Sequence, residues 1–118
     1  MKYIFIAALL SVSTLHAAEL RIEAFKAPFH VGKSVMACGV LKQVTLASKQ
    51  VYLSLDKPYP NQTLTVLVWK TDYPKFTQRF GNLNQYVNKQ VCARGVITAY
   101  KNTLQIQMSN PQFLRVME

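Results

Sequence analysis

The sequence predicts an all-β fold, a small closed barrel of five strands with one helix inserted. Two observations carry that prediction. Residues 32–40 (Gly-Lys-Ser-Val-Met-Ala-Cys-Gly-Val) and 88–96 (Asn-Lys-Gln-Val-Cys-Ala-Arg-Gly-Val) share Lys, Val, Gly and Val at matched positions. Each is followed by a polar loop and a short alternating run, residues 51–55 in the first half and 104–108 in the second. A strand with glycine in its middle can bend or bulge, because no Cβ restricts the backbone there. Two bent strands, each feeding a hairpin, are the parts of a closed barrel.

The elements follow in chain order. Residues 1–17 read as a secretory signal: Lys2 is basic, residues 3–10 are apolar and uncharged, and the stretch ends Leu15-His16-Ala17. A retained N-terminal anchor is the alternative. Residues 18–31 are a lead-in, expected to form a turn or two of helix, or a strap, over one barrel end; Pro28 would interrupt a helix. The barrel domain is expected over 32–118. Its first strand spans 35–46, apolar on both faces in its first half, as suits a strand shared by two packed sheets. The second spans 51–55, with Val51, Leu53 and Leu55 inward and Tyr52 and Ser54 outward. The turn at 56–61 contains Pro58 and Pro60, which cannot continue a ladder. The third strand spans 63–70, with Leu64, Val66 and Val68 inward and Thr63, Thr65, Leu67 and Trp69 outward. Residues 72–80 form the one good helix pattern, with Asp72 as cap, Pro74 in the first turn, Phe76 and Phe80 stacked at i,i+4, and Gly81 as the stop. Leu83, Tyr86 and Val87 continue the apolar cover. The fourth strand spans 90–99, a tight loop 100–103, and the fifth strand 104–108. The tail returns to the barrel through Phe113 and Leu114, or through Val116.

Three strands, a helix, two strands, with glycine bends in the first and fourth, is the order of the OB-fold, a five-stranded Greek-key barrel with its helix between strands 3 and 4. The first and fourth strands are neighbours when this barrel closes. Cys38 and Cys92, which share side-chain parity, are then expected to form a disulfide; an exported chain meets an oxidising compartment, periplasmic or extracellular. The two sulfurs and one remaining histidine suggest no metal site.

Without residues 1–17 the chain has 101 residues, enough for one core, and 13 Lys+Arg against 5 Asp+Glu give it a net charge of +8. Such a charge favours anionic partners such as nucleic acid, anionic lipid or acidic polymer; plain solubility is the alternative. That chain has one His, two Asp and three Glu, with no paired carboxylates, nucleophile elbow or phosphate loop. No enzyme activity and no cofactor are expected.

The chain resembles a family of small exported bacterial OB-fold proteins of nucleic-acid-binding-like type. The resemblance is carried by His30-Val31-Gly32-Lys33, Val35, Cys38-Gly39, residues 51–55, Tyr59-Pro60-Asn61-Gln62, residues 65–69 and 91–97, Tyr100, and Leu104-Gln105-Ile106. Asn102-Thr103 stands where such proteins commonly have a glycine.

An OB barrel binds on strands 2 and 3 and the loops beside them. That face would present Tyr52, Ser54, Thr65 and Trp69, with Lys42, Lys49, Tyr100, Lys101 and Asn102 from the loops and Lys70 and Arg94 flanking. Aromatics stack on bases and cations follow phosphates. The residues nominated to contact nucleic acid are therefore Lys42, Lys49, Tyr52, Thr65, Trp69, Arg94, Tyr100 and Lys101. Competing readings make Trp69 a plug for the barrel end and Tyr59 a packed turn residue. The expected function is low-specificity binding of single-stranded nucleic acid on a basic and aromatic face, with affinity falling steeply with salt. The alternative is a module that binds an envelope protein, as inhibitor, immunity-type partner or accessory subunit.

Overall fold

A computed structural model describes residues 19–117 of the chain. The proposed signal segment lies outside the described residues. Within them the strands are β1 (Leu20–Glu23), β2 (Ser34–Leu46), β3 (Gln50–Leu55), β4 (Leu64–Trp69), β5 (Gln90–Tyr100), β6 (Thr103–Met108) and β7 (Leu114–Met117), with α1 at Tyr73–Phe80. The barrel runs β2-β3-β4-β6-β5 and closes through β2–β5 pairing. β4 and β6 are parallel, and the other barrel contacts are antiparallel. With α1 between β4 and β5, this is the OB-fold.

β1 and β7 add a strand at each edge of the β2–β5 sheet, β1 parallel to β2 and β7 antiparallel to β5. β1 escapes a reading of the sequence because four residues offer too little alternation: only Ile22 is buried. The lead-in continues as a 3-10 helix, Ala24–Phe29, which contains Pro28 and buries Ala24 and Ala27. A proline breaks an α-helix by removing a donor, but a short 3-10 segment tolerates it. In the tail, Leu114 is buried while Phe113 stays partly exposed.

The two glycines stand where strands change sheets. β2 pairs with β5 through Val40 and with β3 from Leu41 onward. β5 pairs with β2 through Val96 and with β6 from Ile97. A Cβ on Gly39 would lie 2.8 Å from Asp56 Oδ1, and one on Gly95 would lie 2.6 Å from Ile106 Cγ2. Both corners are made by close approach rather than by unusual dihedrals. Asp56 fixes the first corner: Oδ1 accepts the Val40 N–H at 3.0 Å, Oδ2 accepts the Thr63 hydroxyl at 2.6 Å, and its own N–H donates to the Val40 carbonyl at 2.7 Å.

Cys38 and Cys92 face each other directly across β2–β5 and are joined as a disulfide. The core inside the barrel is aliphatic, built on Val35, Leu41, Val51, Leu53, Leu55, Leu64, Val66, Val68, Ile97 and Ile106. Phe76 of α1 and Leu83 cover one opening and are fully buried. Asp72 precedes α1 but its side chain makes no cap hydrogen bond; it pairs instead with Lys75 at 3.3 Å. Phe80 meets the edge of Tyr86, with ring centroids 6.5 Å apart, rather than stacking on Phe76.

Candidate nucleic-acid interface

Strand pairing lays out a groove on the outer face of β2, β3, β4 and β6. One cross-strand row is Gln43, Ser54, Thr65 and Gln105; the next is Thr45, Tyr52, Leu67 and Gln107. Gln50 and Trp69 make a shorter third row at one end. Strands about 4.8 Å apart make this floor about 14 Å wide, and two residues along a strand set the rows about 7 Å apart. The loop residues Tyr59 and Gln62 and the β5–β6 hairpin (Tyr100, Lys101, Thr103) close the other end, and the groove holds about 640 Å³.

The floor is polar yet dry at its centre. Ser54, Thr65 and Gln105 are only 2%, 5% and 7% exposed. Hydrogen bonds within the lining set its shape. The Gln62 Nε2 donates to Thr65 Oγ1 at 2.9 Å, the Tyr59 N–H donates to Gln43 Oε1 at 2.9 Å, and the Tyr52 hydroxyl donates to Gln50 Oε1. The Gln62 Oε1 is buried with no hydrogen-bond partner among the described residues. A buried acceptor without a donor costs roughly 1–3 kcal/mol, so a ligand or water donor there is favoured.

The hairpin end is backbone-strained. Lys101 and Asn102 have φ of 45° and 62°, the left-handed values of a two-residue hairpin turn. Lys101 Nζ lies 5.4 Å from the centroid of the Tyr100 ring. Strain at a loop tip that carries an aromatic and a cation is the kind a ligand site retains.

Of the nominated residues, Tyr52, Thr65, Trp69, Tyr100 and Lys101 line the groove together. Lys49 sits just beyond Trp69, in an adjoining hollow. Lys42 and Arg94 do not take part. Lys42 is the extra residue of a β-bulge, since Leu41 pairs with Leu55 and Gln43 with Ser54; its Nζ is held by Asn88 Oδ1 at 2.9 Å. Arg94 is on the other sheet, paired with Glu19 and 5.9 Å from the Phe113 ring centroid. Trp69, 41% exposed, walls the groove rather than plugging the barrel, and Tyr59, 69% exposed, is a groove wall rather than a packed turn residue.

The face is therefore aromatic and amide-rich, not basic. Its lining has four aromatics, four hydroxyl residues and five glutamines (Gln43, Gln50, Gln62, Gln105, Gln107), and Lys101 is its one charged residue. Glutamine carries neither the charge nor the ring by which a nucleic-acid contact is legible in sequence. The alternation of Gln105 and Gln107 with Ile106 and Met108 already marks them as outward; Gln43 and Thr45 were hidden by the bulge.

No known family model matches the chain, and no curated protein matches it either. Solved structures do resemble it. One, from the S. pombe Stn1-Ten1 complex, is 14% identical with a TM-score of 0.53, over 71% of this chain and 57% of that one. Another, a Leishmania major Friedlin protein assigned as an aspartyl-tRNA synthetase, is 10% identical with a TM-score of 0.53, over 88% of this chain and 22% of that one. This chain thus spans little more than half of the first and under a quarter of the second. At these identities the likeness is one of fold.

Proposed function

We propose that this chain is a non-catalytic, exported binding module whose groove takes single-stranded nucleic acid. The observation that carries the reading is that Tyr52, Tyr59, Trp69 and Tyr100 all line one groove whose floor is rich in amides and hydroxyls. A base has a face that stacks on an aromatic ring and an edge that pairs with an amide, which both donates and accepts. Glutamine can meet adenine through two hydrogen bonds at once. Stacking contributes about 1–3 kcal/mol per base. The fold shared with a protein whose name gives tRNA as its substrate agrees with this use of the barrel. The disulfide agrees with an oxidising compartment. Titration of a fluorescent single-stranded oligonucleotide at low salt, read by anisotropy, tests the reading; an unchanged signal at high protein concentration would end it.

A second reading is an envelope protein partner, favoured by the near absence of charge in the groove. A pull-down from envelope extract, with and without nuclease, separates the two. A stoichiometric protein that survives nuclease supports the partner; a catch lost on nuclease treatment supports nucleic acid.

A further inference from the structure

At the Trp69 end, the pairing of Gln50 with Trp69 brings Lys49 and Lys70 side by side. The Lys70 N–H donates to the Lys49 carbonyl at 2.9 Å, which fixes the two backbones together. Ser48, Lys49, Trp69, Lys70 and Thr71 line a hollow that shares its Trp69 wall with the groove. Among the described residues neither lysine pairs with a carboxylate, and the nearest carboxylate in sequence, Asp72, is held by Lys75. Like charges on adjacent strands repel. Two lysines and two hydroxyl residues line one hollow beside an indole, with neither lysine paired to a carboxylate among the described residues, which suits a small anion with several acceptor oxygens.

We infer that this hollow is a phosphate subsite, and that it takes the terminal phosphate of a strand whose bases lie along the groove. The inference rests on the nucleic-acid reading above and adds a direction to it. A phosphate monoester carries a charge of about −1.5 to −2 near neutral pH, against −1 for an internal diester, so two lysines match a strand end better than its middle. From the level of Thr103 to that of Trp69 the parallel β4–β6 pair rises about 20 Å, six steps at about 3.3 Å. That length suits a ligand of only a few nucleotides, anchored at one end by its phosphate and otherwise held by stacking and base edges.

Trp69 is the single tryptophan of the chain and reports the site directly. Tryptophan fluorescence is titrated with one short oligonucleotide in three forms: 5′-phosphorylated, 3′-phosphorylated and without terminal phosphate. One phosphorylated form should bind roughly tenfold tighter than the unphosphorylated strand, the effect of about one charge-assisted contact. The advantage should vanish in the Lys49→Gln/Lys70→Gln double variant, whose melting curve checks that it is folded, while the unphosphorylated strand keeps its affinity. Equal affinity for all three forms would overturn the phosphate subsite and leave the nucleic-acid reading standing. So would a double variant that weakens all three alike. Failure of every form to bind would sink the underlying reading and this inference together.

Discussion

Gly95 has no room for a side chain. A Cβ there would come within 2.6 Å of Ile106 Cγ2, at the point where β5 passes from one sheet to the other. Gly95→Ala should therefore destabilise the protein by about 1–3 kcal/mol, the usual cost of overpacking, read as a lowered denaturant midpoint with unchanged slope. The hairpin tip runs the other way. Asn102 adopts φ of 62°, a region glycine enters freely. Asn102→Gly should leave stability unchanged or raise it by up to about 1 kcal/mol, and a clear loss would mean that the asparagine side chain does more there than tolerate the turn. Both sites were visible in the sequence as a mid-strand glycine and as a tight loop lacking one. The contact that gives Gly95 its cost, with Ile106 on the neighbouring strand, was not, because it depends on how tightly β5 and β6 approach at the corner.

At the scale of the element, the bulge in β2 decides which residues face the groove. Inward Leu41 is followed by inward Val44 because Lys42 is spliced out of the pairing. Deleting Lys42 would join Leu41 directly to Gln43 and leave Gln43 and Thr45 facing the groove and Val44 facing the core. The deletion should therefore keep the core faces, and Lys42→Ala should stay within about 0.5 kcal/mol; a loss of several kcal/mol for Lys42→Ala in melting experiments would refute the bulge. Inward and outward faces of β3, β4 and β6 were legible because each is short and regular. β2 was not, since a bulge leaves no mark that propensity or periodicity detects. The Cys38–Cys92 link between β2 and β5 was legible from parity and from the order of elements. Replacing both cysteines with alanine removes a closed loop with a sequence separation of 54. It should cost about 4 kcal/mol on the chain-entropy model, with ligand affinity retained below the melting temperature; loss of binding in a folded variant would make the cysteines part of the site.

Over the whole molecule, charge and groove are separated. The chain carries 14 Lys+Arg against 5 Asp+Glu, yet the groove lining has only Lys101, with Lys49 and Lys70 beyond Trp69. Composition made the positive charge obvious and suggested that it forms the binding face. Only the three-dimensional arrangement, which sends Arg94 to the other sheet and Lys42 to Asn88, shows that most of it lies outside the groove. The steep salt dependence expected of a basic face gives way to a shallow one. For a strand that carries the favoured terminal phosphate, Lys101, Lys49 and Lys70 together imply a slope of log K against log salt of about −2, at about −0.7 per phosphate.

That slope tests the central claim most directly, measured on a terminally phosphorylated single-stranded oligonucleotide with Trp69 fluorescence and anisotropy followed together. Binding that changes Trp69 emission, has a slope near −2, and weakens about tenfold or more in Tyr52→Ala and Tyr100→Ala is the result predicted. Binding with a slope beyond about −4, indifferent to those tyrosines and silent at Trp69, would place the ligand on the lysine-bearing surface elsewhere and contradict the groove as the site.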